Sequence, residues 1–141
     1  MKLRRERMLV LGSILVMFAG CGGGRLLGAK ALLQQAKSLQ SEAAEGALLA
    51  QDTAAGRTTI IYTREQSSVL AKAASLIELS LSRATTVPAI EPDLRRLAEL
   101  AGRVRADLGR IGNASADEER ALARDLQAAA QASQKIGQAF G

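Results

Sequence analysis

The chain has 141 residues, one Cys, no His, no Trp and only three aromatic residues, and strong helix formers such as Ala and Leu dominate it. Its formal charge is +5, but four of the nineteen basic residues (Lys2, Arg4, Arg5, Arg7) and one of the fourteen acidic residues (Glu6) lie at its start, which leaves 15 basic against 13 acidic residues in the rest. Nucleic-acid-binding proteins normally have a concentrated basic surface with stacking aromatic side chains, so this composition argues against nucleic acid as a partner.

The first twenty residues have the organisation of an export signal. Residues 1–7 carry four positive charges, and residues 8–20 (MLVLGSILVMFAG) form a charge-free apolar run of thirteen residues. A helix that crosses the hydrocarbon core of a bilayer needs roughly 20 apolar residues. The run is therefore short for a membrane span and typical of the apolar region of a signal peptide.

The end of this run carries a short motif, Phe18-Ala19-Gly20-Cys21. It resembles the lipobox of bacterial lipoproteins, in which an apolar residue, a small residue and Gly or Ala precede a Cys. The resemblance implies that a signal peptidase cuts between Gly20 and Cys21. It also implies a diacylglyceryl group on the Cys21 thiol and an acyl chain on the new amine. Phe18 departs from the commonest pattern, which has Leu at that position.

Two alternatives to a lipoprotein signal are an uncleaved signal anchor and an ordinary secretory signal. An anchor would usually be longer, and residues 16–18 lack the small residue that an ordinary cleavage site prefers. We predict a signal peptide at 1–20, a lipidated Cys with a Gly linker at 21–25, and a helical domain at 26–141. Gly22, where Asp would favour inner-membrane retention, resembles the outer-membrane case. The expected location is the extracytoplasmic side of the cell envelope, on the periplasmic face of the outer membrane in a Gram-negative organism.

The first predicted helix spans about residues 26–54. Gly46 lies inside this helix and is expected to weaken or bend it, and Gly56 lies where a helix-ending residue is expected. One apolar side comprises Ala29, Leu33, Ala36, Ala43, Ala47, Ala50 and Ala54.

The second predicted helix spans about residues 59–84. Thr58, Thr59 or Thr63 is expected to cap it, and Thr63 with Gln66 fits a capping box. Its apolar residues form two adjacent rows, one of Val69, Ala73 and Leu76 and the other of Leu70, Ala74, Ile77, Leu81 and Ala84. So broad an apolar face predicts a helix that contacts two neighbours.

Pro88 and Pro92 mark a break, because the residue before a Pro avoids helical geometry and Pro suits the first turn of a helix. The third helix is predicted from about Pro92 to Gly112. Its apolar residues alternate at spacings of three and four, as in a coiled-coil seam: Leu94, Leu97, Ala101, Val104, Leu108 and Ile111.

The fourth predicted helix begins at a capping box formed by Ser115 and Glu118. Its apolar stripe comprises Leu122, Leu126, Ala129, Ser133, Ile136 and Phe140. Short connections and one apolar side for each helix predict an all-α, antiparallel four-helix bundle.

No catalytic site, metal site or cofactor is predicted. The chain has no imidazole base, and an acylated Cys21 could not act as a nucleophile. Asp117, Glu118 and Glu119 cluster, but they occupy the first turn of a helix, where negative charge interacts favourably with the helix dipole. A structural role is therefore expected for them rather than metal binding.

A line of three basic residues, Arg96, Arg103 and Arg110, recurs every seven residues on the third helix. These side chains are candidates for contact with anionic headgroups or a cell-wall polyanion. A solvated helix face is the favoured alternative, with Glu91–Arg95 and Glu99–Arg103 as local ion pairs.

The sequence thus predicts a non-enzymatic, membrane-tethered helical bundle that acts as a structural or protein-interaction module of the cell envelope. Spare apolar surface on the second helix is expected to contact another envelope protein or a second copy. The alternative is an envelope protein that binds a lipid or another small apolar ligand between its Ala-rich helices.

Overall fold

A computed structural model describes residues 26–141 of the chain. Within this part the chain folds into an all-α four-helix bundle, which confirms the predicted fold class. Its helices are α1 (Ala29–Ala54), α2 (Ile60–Ser82), α3 (Glu91–Leu108) and α4 (Ala116–Gln138).

The helices pack as neighbours that run antiparallel. α1 packs most extensively against α4, and α2 against α3. Smaller contacts join α1 to α2 and α3 to α4, and α1 also contacts α3. The core between them is almost entirely aliphatic. Its fully buried large side chains are Leu32, Leu39, Leu81, Leu97, Val104, Leu108, Ile111, Leu122 and Leu126. Every residue of the predicted seam of α3 is among the buried residues of the core.

Local sequence signals place several helix ends. Thr59 is the N-cap of α2 and accepts a hydrogen bond from the Tyr62 N–H at 3.3 Å. At the start of α4, Ser115 and Glu118 form both hydrogen bonds of the predicted capping box. Gly56 has a φ of 66° just beyond α1, a left-handed conformation that Gly adopts without steric cost.

Three sequence predictions need correction. α1 begins at Ala29 rather than near residue 26, because Leu26 and Leu27 are extended and pair with Thr85. The buried side of α1 includes Leu32 and Leu39, whereas the predicted Ala29, Leu33 and Ala54 are only partly buried. α3 ends at Leu108 rather than at Gly112, and Ile111 is buried from the connection that follows.

Gly46 has a packing role that the sequence does not reveal. A Cβ at this position would lie 2.2 Å from Leu108 Cδ2 and 3.2 Å from Leu126 Cδ1. Because both of these leucines are fully buried, neither can move out of the way freely. The missing side chain therefore lets α1 approach α3 and α4 closely, and this contact offsets the low helix propensity of Gly.

Candidate functional site

The predicted lipidation and cleavage residues, Cys21 and Gly20, lie outside the described residues. The structure does show where the chain that follows them joins the bundle. The Leu27 N–H donates to the Thr85 carbonyl at 2.7 Å, and the Thr86 hydroxyl donates to the Leu27 carbonyl at 2.7 Å. Leu27 is buried, whereas the side chain of Leu26 is 70% exposed. The first described residues are therefore fastened to the connection between α2 and α3.

This attachment defines two ends of the bundle. The proximal end comprises the start of α1, the end of α2, the connection 83–90, the start of α3 and the end of α4. The distal end comprises the end of α1, the start of α2, the connection 109–115 and the start of α4. Each helix therefore runs from one end to the other.

The two apolar rows of α2 have different environments. The row that contains Leu70, Ile77 and Leu81 is buried in the core. The other row is not, since Val69 is 57% and Leu76 is 61% exposed. The expectation that α2 contacts two neighbours is correct, but it makes those contacts, to α1 and α3, without burying Val69 and Leu76.

Further exposed apolar residues extend this surface along the helix. We define the α2 outer face as Ile61, Tyr62, Val69, Leu76 and Leu79, all of which are at least 43% exposed. At 100° per residue these five positions fall within one arc of the helix, opposite the buried row. Scattered exposed apolar residues are normal, but five on one face of one helix make this face the candidate functional surface.

Charged and small polar residues also lie on and beside the α2 outer face. Glu65 and Lys72 are exposed within the same arc and carry opposite charges. Ser68 and Ser75, each next to an apolar residue of the face, are small. The face therefore has apolar side chains seven residues apart, small residues beside them and one charge of each sign. These features suit contact with another helix.

The predicted arginine line is only partly on one helix, since Arg96 and Arg103 lie on α3, whereas Arg110 lies in the connection that follows because α3 ends at Leu108. Arg96, Arg103 and Arg110 are all exposed, and Arg96 lies 3.6 Å from Asp93 in an ion pair. The expected Glu91–Arg95 pair is present. Among the described residues, Glu99 and Arg103 form no ion pair within 4.0 Å.

The acidic residues at the start of α4 have three different roles. Glu118 completes the capping box, and Asp117 pairs with Arg120. Glu119 is instead 1% exposed, and its Oε1 accepts a hydrogen bond from the Gly112 N–H at 2.7 Å. Within residues 26–141 no group of three or more potential ligand side chains converges on a metal-binding geometry.

Glu119 belongs to a polar cluster at the distal end that sequence reasoning missed. Besides Glu119 the cluster contains Thr63 and Ser67, both buried, and the Ser67 hydroxyl donates to the Ile111 carbonyl at 3.4 Å. Gly112 adopts a φ of 83° and packs against Thr63. One signal was present, since Glu119 precedes Leu122 and Leu126 by three and seven residues and so shares their inner side. The cluster holds the connection 109–115 against α2.

Two depressions lie on the surface of the described residues. One of about 260 Å³ lies between α1 and α4, beside Leu33, Lys37, Gln40 and Ser133. Another of about 310 Å³ lies at the proximal end, beside Pro88, Glu91 and Arg95. Both are open to solvent, and neither has the enclosed apolar lining typical of a small-molecule site.

A substitution of Asp107, near the end of α3, tests how the charge of a partly buried carboxyl affects the stability of the fold. Partial burial raises its pKa, and the nearby Asp125 adds to this, while Arg110 and Arg103 act in the opposite direction. A carboxyl whose pKa is higher in the folded state favours folding below its unfolded pKa, and that contribution is lost as the pH rises through its folded pKa. Asp107→Asn should therefore stabilise the protein at neutral pH, and the gain should vanish below the unfolded pKa. Urea unfolding at a series of pH values measures this.

Glu118 provides a control, because its pKa is shifted in the opposite direction from that of Asp107. Hydrogen bonds from the backbone N–H and the hydroxyl of Ser115 lower its pKa. Its contribution to stability is present above its unfolded pKa and is lost as the pH falls through its folded pKa. Glu118→Gln should thus lower the unfolding midpoint at neutral pH and converge with the unmodified protein in acid. Parallel pH profiles for the two variants would show that the assigned charge environments are wrong.

No protein family, curated protein or solved structure matches this chain. In the described part of the chain, no helix combines the length and the apolar character that crossing a membrane would need.

Proposed function

We propose that this protein is a lipid-anchored component of the bacterial cell envelope, on the extracytoplasmic side, which acts without catalysis as a structural or interaction module. Cys21 carries the lipid in this proposal, after removal of residues 1–20, and the α2 outer face binds an apolar helix of a protein neighbour. In a Gram-negative organism the expected location is the periplasmic face of the outer membrane.

The observation that carries the proposal is the exposure of the α2 outer face in an otherwise well-packed bundle. Val69 and Leu76 are more than half exposed, while the adjacent row from Leu70 to Leu81 is buried. Covering such a surface with a partner would remove apolar area from water, which stabilises association by roughly 25 cal/mol for each Å².

The chemistry of the face favours a helix as its partner. Tyr62, Val69 and Leu76 recur every seven residues, which matches the seam of two helices that pack at a small crossing angle. Glu65 and Lys72 lie between them and would pair with Lys and Glu on the partner. An amphipathic helix of another envelope protein meets these requirements, and so does α2 of a second copy.

The membrane location is supported by the sequence of the first 21 residues. The basic start, the apolar run of thirteen residues and the motif Phe18-Ala19-Gly20-Cys21 occur in the order found in lipoprotein signals. Two or three acyl chains on one residue would hold the protein stably, because each buried methylene contributes about 0.8 kcal/mol.

The alternative function, binding of a lipid or small apolar ligand, would need an enclosed apolar cavity, and neither depression found on the described residues is enclosed. The depression between α1 and α4 is lined by Leu33 as well as by polar residues such as Lys37 and Gln40. The core beneath it is filled by side chains such as Leu32 and Leu39. We therefore favour the interaction module.

Photo-crosslinking in intact cells tests the function of the α2 outer face. A photoreactive residue in place of Ser68, beside the face, is expected to give one discrete adduct. The same residue in place of Gln127, exposed on α4, is the matched control and should give none. An adduct of twice the chain mass would identify a second copy, and any other reproducible mass would identify another protein.

Specificity is tested by placing charge on the face itself. Val69→Lys and Leu76→Lys should each abolish the Ser68 adduct without unfolding the protein, because both side chains are exposed. Absence of any adduct, or an adduct that persists when the face carries these charges, would refute the proposed interaction.

A further inference from the structure

We propose that the proximal end of the bundle lies directly on the surface of an anionic phospholipid bilayer, with Leu26 and Val87 in the headgroup layer and Lys30 and Arg83 beside lipid phosphates. This inference rests on the lipid anchor at Cys21 in the proposed function. It adds a second, non-covalent contact with the membrane and fixes the orientation of the bundle.

The length of chain between Cys21 and the bundle is the first support. Five residue steps separate Cys21 from Leu26, and a fully extended chain covers at most about 3.6 Å per residue, or roughly 18 Å in all. The chain cannot gain length by peeling away from the bundle without cost, because the two 2.7 Å hydrogen bonds of Leu27 to Thr85 and Thr86 hold it. The proximal end must therefore remain within reach of the headgroups.

Exposed apolar residues at this end are the second support. Leu26 is 70% and Val87 is 48% exposed, and Pro88 and Ala89 beside Val87 are exposed as well. Leu26 lies next to this connection, because it pairs with Thr85. Together these residues form an apolar surface at the point where the tether enters the bundle, as at the boundary of a protein that lies on a membrane interface.

The charges at the two ends of the bundle give the third support. Lys30 and Arg83 are exposed at the proximal end, and within residues 26–141 neither forms an ion pair. The distal end instead mixes the two signs of charge, with Asp52 paired with Arg57 and Asp117 paired with Arg120. An anionic lipid surface attracts Lys and Arg within about one Debye length and repels carboxylates, so it favours the proximal end.

This placement makes the bundle stand upright on the membrane. Arg96 lies in the first turns of α3 at the proximal end, whereas Arg110 lies in the connection 109–115 at the distal end, so only Arg96 would approach the headgroups. The α2 outer face would then extend away from the bilayer, with Leu79 nearest to it and Ile61 farthest from it. A partner helix would have to be oriented along the membrane normal.

Fluorescence quenching on vesicles tests the inference with the complete, lipid-bearing protein. Val87→Cys, labelled with an environment-sensitive dye, is reconstituted into vesicles of phosphatidylglycerol and phosphatidylcholine that contain headgroup-quencher lipids. The Val87 probe should lose most of its fluorescence. A probe at Asn113→Cys, exposed at the distal end, is the matched control and should lose little. In a third protein, Lys30→Glu and Arg83→Glu together should clearly lower the quenching at position 87, although the tether still holds this end near the bilayer.

The outcomes separate this inference from the proposed function. Flotation of the protein with the vesicles but equal quenching at positions 87 and 113 would overturn the inference and leave the anchor intact. Unchanged quenching in the protein with Lys30→Glu and Arg83→Glu would overturn the role of charge. Failure of the protein to float with vesicles would overturn the anchor and the inference together.

Discussion

Replacing Leu81 with Ala is expected to lower the free energy of unfolding by about 2–5 kcal/mol. Leu81 is 2% exposed and lies in the buried row of α2. The substitution removes buried methyl groups and leaves a cavity that the neighbouring helices fill only in part. For a bundle of this size, whose total stability is on the order of 5–15 kcal/mol, this is a large fraction. Urea unfolding followed by far-ultraviolet circular dichroism measures it.

Leu76→Ala is the matched control on the same helix. Leu76 is 61% exposed on the α2 outer face, so the same chemical change should alter stability by no more than about 0.5 kcal/mol. The difference between the two variants measures how the rows of α2 divide between core and surface. Equal losses would mean that the outer face is packed within one molecule and is not free to bind a partner.

Replacing Cys21 with Ser is expected to abolish lipid attachment. A Ser hydroxyl cannot form the thioether to diacylglyceryl that the lipobox resemblance implies, and the peptidase of that class cuts only after this step. The variant should incorporate no labelled fatty acid, and its chain should either keep residues 1–20 or leave the membrane. Metabolic labelling with a fatty acid, together with fractionation of the cells, measures both effects.

Gly24→Ser is the control for this experiment. It introduces the same side chain three residues later, keeps Cys21 and leaves the motif from Phe18 unchanged. Its size, labelling and membrane attachment should equal those of the unmodified protein. If Cys21→Ser behaved in the same way, with unchanged size and attachment, an uncleaved anchor would be the better interpretation of the leader.

Much of the fold could be predicted because its signals are local. The capping box needs only Ser115 and Glu118 at the correct spacing, and its two hydrogen bonds form as expected. The regular spacing of three and four predicts the seam of α3, because the helix has only one apolar side and this side must pack against the core. These elements depend on residues that are near each other in sequence.

Features that depend on distant residues could not be predicted. The sequence shows two apolar rows on α2, but only the positions of α1 and α3 decide that Leu70 is buried while Val69 is exposed. From the sequence alone, Gly46 is expected only to weaken its helix, because its close approach to Leu108 is seen only in the folded structure. The extended pairing of Leu27 with Thr85 joins residues 58 positions apart.

The candidate site divides in the same way. Lipidation of Cys21 is inferred from a linear motif that resembles a lipobox, and it stays a prediction because Cys21 lies outside the described residues. The α2 outer face was only partly predictable, as spare apolar surface on the second helix. Glu119 was grouped with Asp117 and Glu118 by composition, although its register with Leu122 places it inside. Burial rather than residue type distinguishes it from its neighbours.

The mass of the protein isolated from cell membranes tests the central claim most directly. Mass spectrometry of the intact protein and of its N-terminal peptide should show a chain that begins at Cys21, lacks residues 1–20 and carries diacylglyceryl and acyl groups on that residue. A chain that still begins at Met1, or a Cys21 without acyl groups, would contradict the account.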